Sequence, residues 1–236
     1  MLLNVSLPKI KEALSLILNI ETATKNCSVS LSQNGEVLAL KEVNDGSYSH
    51  GENLHVFIEE VLLAAHCSID DLKAIAVSMG PGSYTGLRIG VSTAKGLCFS
   101  LDKPLIAIPT LTSLANAIQA DAGVIVPMLD ARRMEVYSAI YDNNYNQIRE
   151  IQAEVIDSTS FDTYLEAGAV YFLGDGAAKC KALIQHKNAI FLDGYFPSAK
   201  QMAQLSYAKY KKNDIEDVAY FEPFYLKDFM ITKAKN

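Results

Sequence analysis

The sequence has no surplus of positive charge: 21 lysines and arginines stand against 27 aspartates and glutamates, a net charge of −6. Phosphate neutralisation supplies most of the affinity of proteins for nucleic acid, so an acidic chain needs a local basic patch to bind it. The only candidates are Lys209–Lys212, interrupted by Tyr210, and the pair Arg132-Arg133. Strong RNA binding by the chain alone is therefore not expected. Cysteines are few: Cys27, Cys67, Cys98 and Cys180, with no CxxC among them. They read as reduced core thiols of a cytoplasmic protein. No apolar run is long enough to span a membrane. The first 15 residues lack a basic start, and Pro8, Lys9, Lys11 and Glu12 break any apolar stretch, which argues against a signal peptide. Residues 1–15 read as an N-terminal extension, or as a lead-in to a natural start near Leu14.

What is there is an ordinary globular composition, 50% hydrophobic and 20% charged over 236 residues, enough for one large domain or two small ones. Ser15–Glu21 reads as a buried strand, and Ser28–Ser32 alternates as a half-exposed strand does. Asn34-Gly35 supplies a two-residue hairpin, since both residues tolerate positive φ. Glu36–Val43 is a third strand, followed by the polar loop Asn44–Ser49 and a helix over Glu52–His66. Ser68, with Asp70 and Asp71 behind it, can cap a short turn. A strand over Lys73–Ser78, a helix over Tyr84–Ser100, a strand over Pro104–Ile108 and a helix over Thr110–Gln119 complete the first half.

The second half repeats this order. Strands fall at Val124–Asp130, Glu135–Tyr141 and Gln147–Val155, then a helix near Ser160–Ala167 and a strand at Val170–Leu173. A helix at Ala177–Gln185, a strand at Ala189–Leu192 and a helix at Ser198–Lys211 end it. Both halves read βββαβαβα. A three-strand meander followed by right-handed crossovers makes a mixed sheet with helices on its faces. Two such βββαβα-type subdomains in tandem, residues 16–120 and 121–236, predict an α/β chain of the duplicated actin-like ATPase and sugar-kinase (ribonuclease H-like) fold.

The first strand of each half ends in an acid, Glu21 and Asp130. Sheets of this class present ligand groups at strand C-termini. Facing acids of an actin-like ATPase would hold metal and phosphate, so both are candidate nucleotide and metal groups. Local turn capping, with Thr22 and Thr24 beside one acid and Arg132 beside the other, accounts for them equally.

Met79-Gly-Pro-Gly-Ser-Tyr-Thr-Gly-Leu-Arg-Ile-Gly90 is the most unusual stretch. It follows a strand and opens a helix whose first amides could hold an anion. It fits no standard phosphate loop. Gly80-x-Gly82-x-x-x-Gly86 misses the dinucleotide fingerprint by one residue, no GxxxxGK[ST] exists, and Ser83 is outside any GxSxG. A tight strand-to-helix turn leading into a packing helix explains the same residues. Gly86, Gly90 and Ala94 recur every four residues and form a smooth ridge. Glycine inside a helix costs ~1 kcal/mol relative to alanine, so two of them imply a closely packed backbone. In the preceding helix Leu54, Phe57, Ile58, Val61, Leu62 and Ala65 form one apolar stripe, while Val56 and Leu63 lie on another side. A helix apolar on two sides is covered on two sides. Leu54, Val56, Phe57, Leu63, Gly86, Gly90 and Ala94 are accordingly the candidate partner interface.

Asn19–Thr24, Cys27–Leu31, His50, Gly80–Gly90, Pro109-Thr-Leu111, Leu129-Asp-Ala-Arg132 and Glu135-Val-Tyr137 together resemble the TsaB family, in that order, and Glu222-Pro-Phe-Tyr-Leu226 resembles its closing segment. The resemblance runs from about Leu16 onward. Its motif residues are Gly80, Pro81, Gly82, Ser83, Thr85, Gly86 and Arg88. Where the family more often has Asp, this chain has Glu21, and His55 is outside the pattern. The resemblance implies an actin-like duplication with a reduced second half. It also implies pairing with TsaD, which transfers a threonylcarbamoyl group to tRNA next to the anticodon, and with the ATPase TsaE. A homodimer in the absence of TsaD, tRNA met only through the complex, and ATP or ADP with magnesium only in the assembly follow from it too.

The resemblance further implies that a catalytic relative of the TsaD type would carry a histidine pair, HxxxH, after the fifth strand of the first half. Here Pro109–Asn116 holds no histidine. Thr and Asn are weak ligands for a transition metal. His50 and His55, five residues apart, fall ~140° apart around a helix. No catalytic residue and no metal ligand are thus expected, and the chain reads as a scaffold rather than an enzyme. A self-sufficient nucleotide-dependent enzyme, sugar kinase or metallopeptidase-like, is the alternative; its adenosine pocket would have to use Gly174-Asp-Gly176. A plain structural dimer is a third reading.

Overall fold

The computed structural model describes residues 14–44 and 50–227, with the backbone alone of His50. Most of the N-terminal extension and the loop after Asn44 lie outside the described residues. In the first half β1 (Leu16–Glu21), β2 (Cys27–Gln33) and β3 (Glu36–Val43) form the meander, followed by α1 (His50–Ala64), β4 (Ala74–Gly80), α2 (Tyr84–Leu101), β5 (Leu105–Pro109) and α3 (Thr110–Ala115). The second half comprises β6 (Val124–Asp130), β7 (Glu135–Asp142), β8 (Gln147–Val155), α4 (Asp162–Ala167), β9 (Val170–Leu173), α5 (Ala177–Cys180), β10 (Ala189–Leu192) and α6 (Ala199–Lys211). The sheets run β3-β2-β1-β4-β5 and β10-β9-β6-β7-β8, the same topology twice. In each, the meander is antiparallel and the remaining strands are parallel.

Local chemistry sets the boundaries. Asn34 and Gly35 adopt positive φ, at 52° and 87°, as their hairpin needs. Ser68 and Asp71 form a capping box over the short turn Ile69–Asp71. Ser198 caps α6. The helices after β5 and β9 stop earlier than periodicity predicts, at Ala115 and Cys180, because the chain tightens into turns there.

Five layers result. α1 and α2 pack Leu54, Phe57, Val61, Val91 and Ala94 against Leu18, Ile20 and Leu31 on the outer face of the first sheet. α6 covers its inner face through Ala199 and Met202, against Ile17, Ala76 and Ile106. α3 sits on the second sheet with Leu111 and Leu114 against Ile125 and Leu129. α4 and α5 close its far side. The division at residue 121 separates the two sheets but needs one correction: α6, numbered with the second half, belongs by packing to the first.

The sequence also misleads at β2. Alternation predicts a half-exposed strand, yet Cys27–Ser32 is buried throughout. Ser28, Ser30 and Ser32 face a polar seam under α6. The Ser30 hydroxyl donates to the Ala199 carbonyl (2.8 Å), and the Ala199 N–H donates to Ser28 Oγ (3.0 Å). The Ser206 hydroxyl reaches Asn19 Oδ1 (2.6 Å), and Asn19 Nδ2 donates to Ser30 and Ser32. Buried polar groups are tolerated because each finds a partner. The four cysteines are free; burial pushes the Cys27 and Cys98 thiols up to about 11 and about 12, so neither is a ready nucleophile. Among the described residues no helix is long and apolar enough to cross a membrane.

Candidate functional site

Glu21 ends β1 inside the molecule, with no exposed surface. The Ala23 N–H (2.6 Å) and the Ser78 hydroxyl (2.9 Å) both donate to its Oε1. Burial raises its pKa to about 7, against the lowering by those hydrogen bonds. The turn after it meets the glycine motif. The Ser83 N–H donates to the Ala23 carbonyl (2.7 Å), and the Thr22 hydroxyl donates to the Gly86 carbonyl (2.8 Å). A β-carbon on Gly82 would come within 2.7 Å of the Ala23 β-carbon. One on Gly80, where φ is +112° and the peptide bond to Pro81 is cis, would come within 2.6 Å of the Phe224 carbonyl. Ser83 Oγ accepts from Gly86 N–H and caps α2 itself. Gly80 and Gly82 therefore lie against this chain's own backbone, and Gly90 lies against the Thr22 side chain.

The second half repeats the arrangement. Gly174 and Gly176 press against the backbone of Met128 and Leu129, so Gly174-Asp-Gly176 is closed as well. Asp130 ends β6 about half exposed; its N–H donates to Asp175 Oδ1 (2.9 Å), and its carboxylate pairs with Lys179. The Lys179 ammonium also donates to the carbonyls of Arg133 (2.8 Å) and Glu135 (2.6 Å). It thus fills a cage of three oxygens at the place where a bound cation would take the Asp130 carboxylate. The pair of acids predicted at a shared cleft is corrected on this point. Glu21 turns inward, away from solvent, and Asp130 is held by a lysine.

The fit of a metal can be tested on the residues themselves. In α3, Thr110 Oγ1 accepts from Gly80 N–H (3.2 Å), Thr112 shares a hydrogen bond with the Tyr141 hydroxyl (2.9 Å), and Ser113 is fully buried. The two threonine hydroxyls are committed to the fold and Ser113 Oγ is buried without a hydrogen-bond partner; with no imidazole or carboxylate among them, these residues do not fit a transition metal. Among the described residues no three His, Cys, Asp or Glu side chains converge. A cleft of about 410 Å³ does open elsewhere, between Asn26, Glu42, Tyr195, Ser198, Lys200 and Gln201. Its carboxylate, Glu42, accepts from the Ser28 (3.1 Å) and Ser198 (2.6 Å) hydroxyls and serves the α6 seam.

The interface residues divide. Gly86, Gly90 and Ala94 lie on the inward face of α2, and Leu54 and Phe57 are core residues of α1. The ridge is a groove for Thr22 and the first sheet, which corrects its assignment to a partner. Val56 and Leu63, 39% and 75% exposed, do lie outward. The sequence reading missed their neighbours on α2. Thr85, Arg88, Ser92, Gly96 and Phe99 face solvent, and Phe99 is 86% exposed. Leu87, Val91, Ala94 and Cys98 fix the buried stripe at helical spacing, which already turns Phe99, roughly 100° on from Cys98, off that stripe. The closing segment borders this surface. Lys95 donates to the carbonyls of Ala219 (3.2 Å) and Phe221 (2.9 Å), Phe221 enters the first core, and the Phe224 N–H donates to the Met79 carbonyl (2.7 Å).

Comparison with known proteins agrees with this architecture. The family model described as TsaD, tRNA N6-adenosine threonylcarbamoyltransferase, matches residues 44–235. The tRNA threonylcarbamoyladenosine biosynthesis protein TsaB of Escherichia coli (strain K12) is 29% identical over 90% of this chain and 94% of its own length. Its namesake from Haemophilus influenzae is 30% identical, covering 90% of this chain and 93% of the relative. The solved structure of YeaZ from Pseudomonas aeruginosa superposes with a TM-score of 0.77 at 24% identity, over 90% of this chain and 100% of that one, and shares the fold. With the duplicated sheets, the glycine motif and similarity over 90% of the chain in agreement, the chain belongs to the TsaB family.

Proposed function

We propose that the chain is the non-catalytic scaffold subunit of a complex that builds N6-threonylcarbamoyladenosine on tRNA. Membership of the TsaB family ties it to tRNA threonylcarbamoyladenosine biosynthesis. In this reading it docks on TsaD, the transferase, and TsaE joins the pair. The observation that carries the reading is the outward face of α1 and α2, where Leu63 and Phe99 stand 75% and 86% exposed while Gly80, Gly82 and Gly90 of the glycine motif press on this chain's own residues. Large apolar residues exposed together mark protein contacts. A same-fold partner would lay its equivalent helix pair there as a four-helix packing, at the usual interaxial distance of ~8–10 Å. Gly96 and Ser92 keep that surface low.

The same face would pair two copies when TsaD is absent. With a net charge of −6, tRNA is met through the composite surface rather than by this chain. We assign no cofactor to the chain itself; ATP or ADP with magnesium belongs to the assembly. Reconstitution tests the reading. TsaD and TsaE with their threonylcarbamoyl donor should modify tRNA when this chain is added and not without it, and the chain alone should give no turnover. Turnover by the chain free of TsaD, lost on mutating one of its residues, would overturn the scaffold assignment.

A further inference from the structure

The outward stripes of the two helices differ in charge. On α1 it reads Glu52, Val56, Glu59, Leu63; on α2 it reads Arg88, Ser92, Lys95, Phe99. Both follow helical spacing, i, i+4, i+7 and i+11, so each is one line of residues along its helix. α1 thus offers acid and apolar groups, and α2 base, small and apolar ones.

Arg88 is the best-held member. Its guanidinium lies over the Tyr84 ring, 4.3 Å from the centroid, and its Nε donates to the Tyr225 hydroxyl (3.3 Å). Tyr84 and Tyr225 in turn lie 4.9 Å apart at 36°. Tyr225 comes from the closing segment, fixed beside α2 by Lys95 and Phe224. One edge of the guanidinium is spoken for and its face is stacked, while the residue remains exposed. Among the described residues no carboxylate is hydrogen-bonded to its Nη groups, although Glu222 acts on its charge. A guanidinium so placed suits a carboxylate, which it binds in two-point geometry. Holding it in advance removes part of the entropy cost of binding. Arg and Tyr are also among the residues that dominate interface energetics.

Resting on the reading above, we propose that Arg88, clamped by Tyr84 and Tyr225, is the polar anchor of the docking face. It takes a carboxylate from the first helix of TsaD, which as a same-fold partner lies across α2. The closing segment is then part of the docking surface through Tyr225, not only a strap over the first sheet. The α2 stripe carries Arg88 and Lys95 and no acid, so it fits a helix that presents a carboxylate to it.

The test is titration calorimetry of the full chain with TsaD at low and high salt, for wild type, Arg88→Ala, Arg88→Lys and Tyr225→Phe. Arg88→Ala should bind roughly tenfold more weakly, as loss of an interface anchor does, with a melt like wild type and a flatter salt dependence. Arg88→Lys keeps the charge but not the fork and should recover only part of the affinity. Tyr225→Phe removes one hydroxyl, leaves the fold unchanged and should weaken binding by a smaller factor; it decides the matter if Arg88→Ala melts low. If wild type binds and both Arg88→Ala and Tyr225→Phe bind equally well, the anchor is refuted while the scaffold reading stands. Loss of homodimer alone, with TsaD affinity unchanged, also refutes it. If wild type itself does not bind TsaD, the scaffold reading is what fails.

Discussion

A β-carbon on Gly90 would collide with the hydroxyl of Thr22, which is fully buried and already committed to the Gly86 carbonyl at 2.8 Å. Six residues along the same helix, Gly96 has nothing within 4 Å of such a carbon. Gly90 and Gly96 therefore answer alanine oppositely. Gly90→Ala must displace Thr22 or shift the helix, and overpacking of this kind costs ~1–3 kcal/mol, more than the ~1 kcal/mol of helix propensity regained. Gly96→Ala should stabilise by up to ~1 kcal/mol. Thermal melts of the two variants check this; a Gly90→Ala melt at or above wild type would remove the inward assignment of the ridge.

Glu21 gives the stability a signature in pH. Its carboxyl rises from 4.5 to about 7 through burial. Between those values the folded chain keeps a proton that the unfolded chain releases. The stability held by the neutral form is complete below about pH 4.5 and is lost as pH rises through about 7. Glu21→Gln keeps a neutral acceptor for Ala23 and Ser78 and has no such proton. Relative to it, wild type should lose on the order of 3 kcal/mol between about pH 4.5 and 8. Denaturant titrations of both proteins across that range measure the difference, and parallel curves would show that Glu21 is ionised in the folded chain throughout.

Lys179 should matter more than the acid it pairs with. It donates to two main-chain carbonyls besides Asp130, whose carboxylate is about half exposed. Lys179→Met leaves those carbonyls short of a donor and should cost ~1–3 kcal/mol. Asp130→Asn should cost clearly less, since exposed ion pairs contribute little. Urea unfolding of both variants decides it, and equal losses would contradict the cage described around the ammonium.

Much of this architecture was legible in the chain. Alternation, turn chemistry and the repeated order placed every strand, because Asn34-Gly35 and the acids ending β1 and β6 are local signals. The site was less so. Gly86, Gly90 and Ala94 announce close packing but not its side, since a small residue admits a partner's backbone and its own sheet alike. Only the neighbours Leu87, Val91 and Cys98 fix the direction. The serines of β2 look like a solvent face because their cover, α6, lies about 170 residues later in the chain. Tyr225 beside Arg88 is equally non-local, 137 residues away.

The central claim is that the outward face of α1 and α2 is the docking surface and the small-residue ridge is not. Leu63 and Phe99 are its most exposed apolar groups. Light scattering should give the mass of the chain mixed with TsaD, for wild type and for Leu63→Asp combined with Phe99→Asp. The account predicts a one-to-one complex for wild type and two separate proteins for the double variant, whose melt stays close to wild type. An undiminished complex with the folded double variant would contradict it.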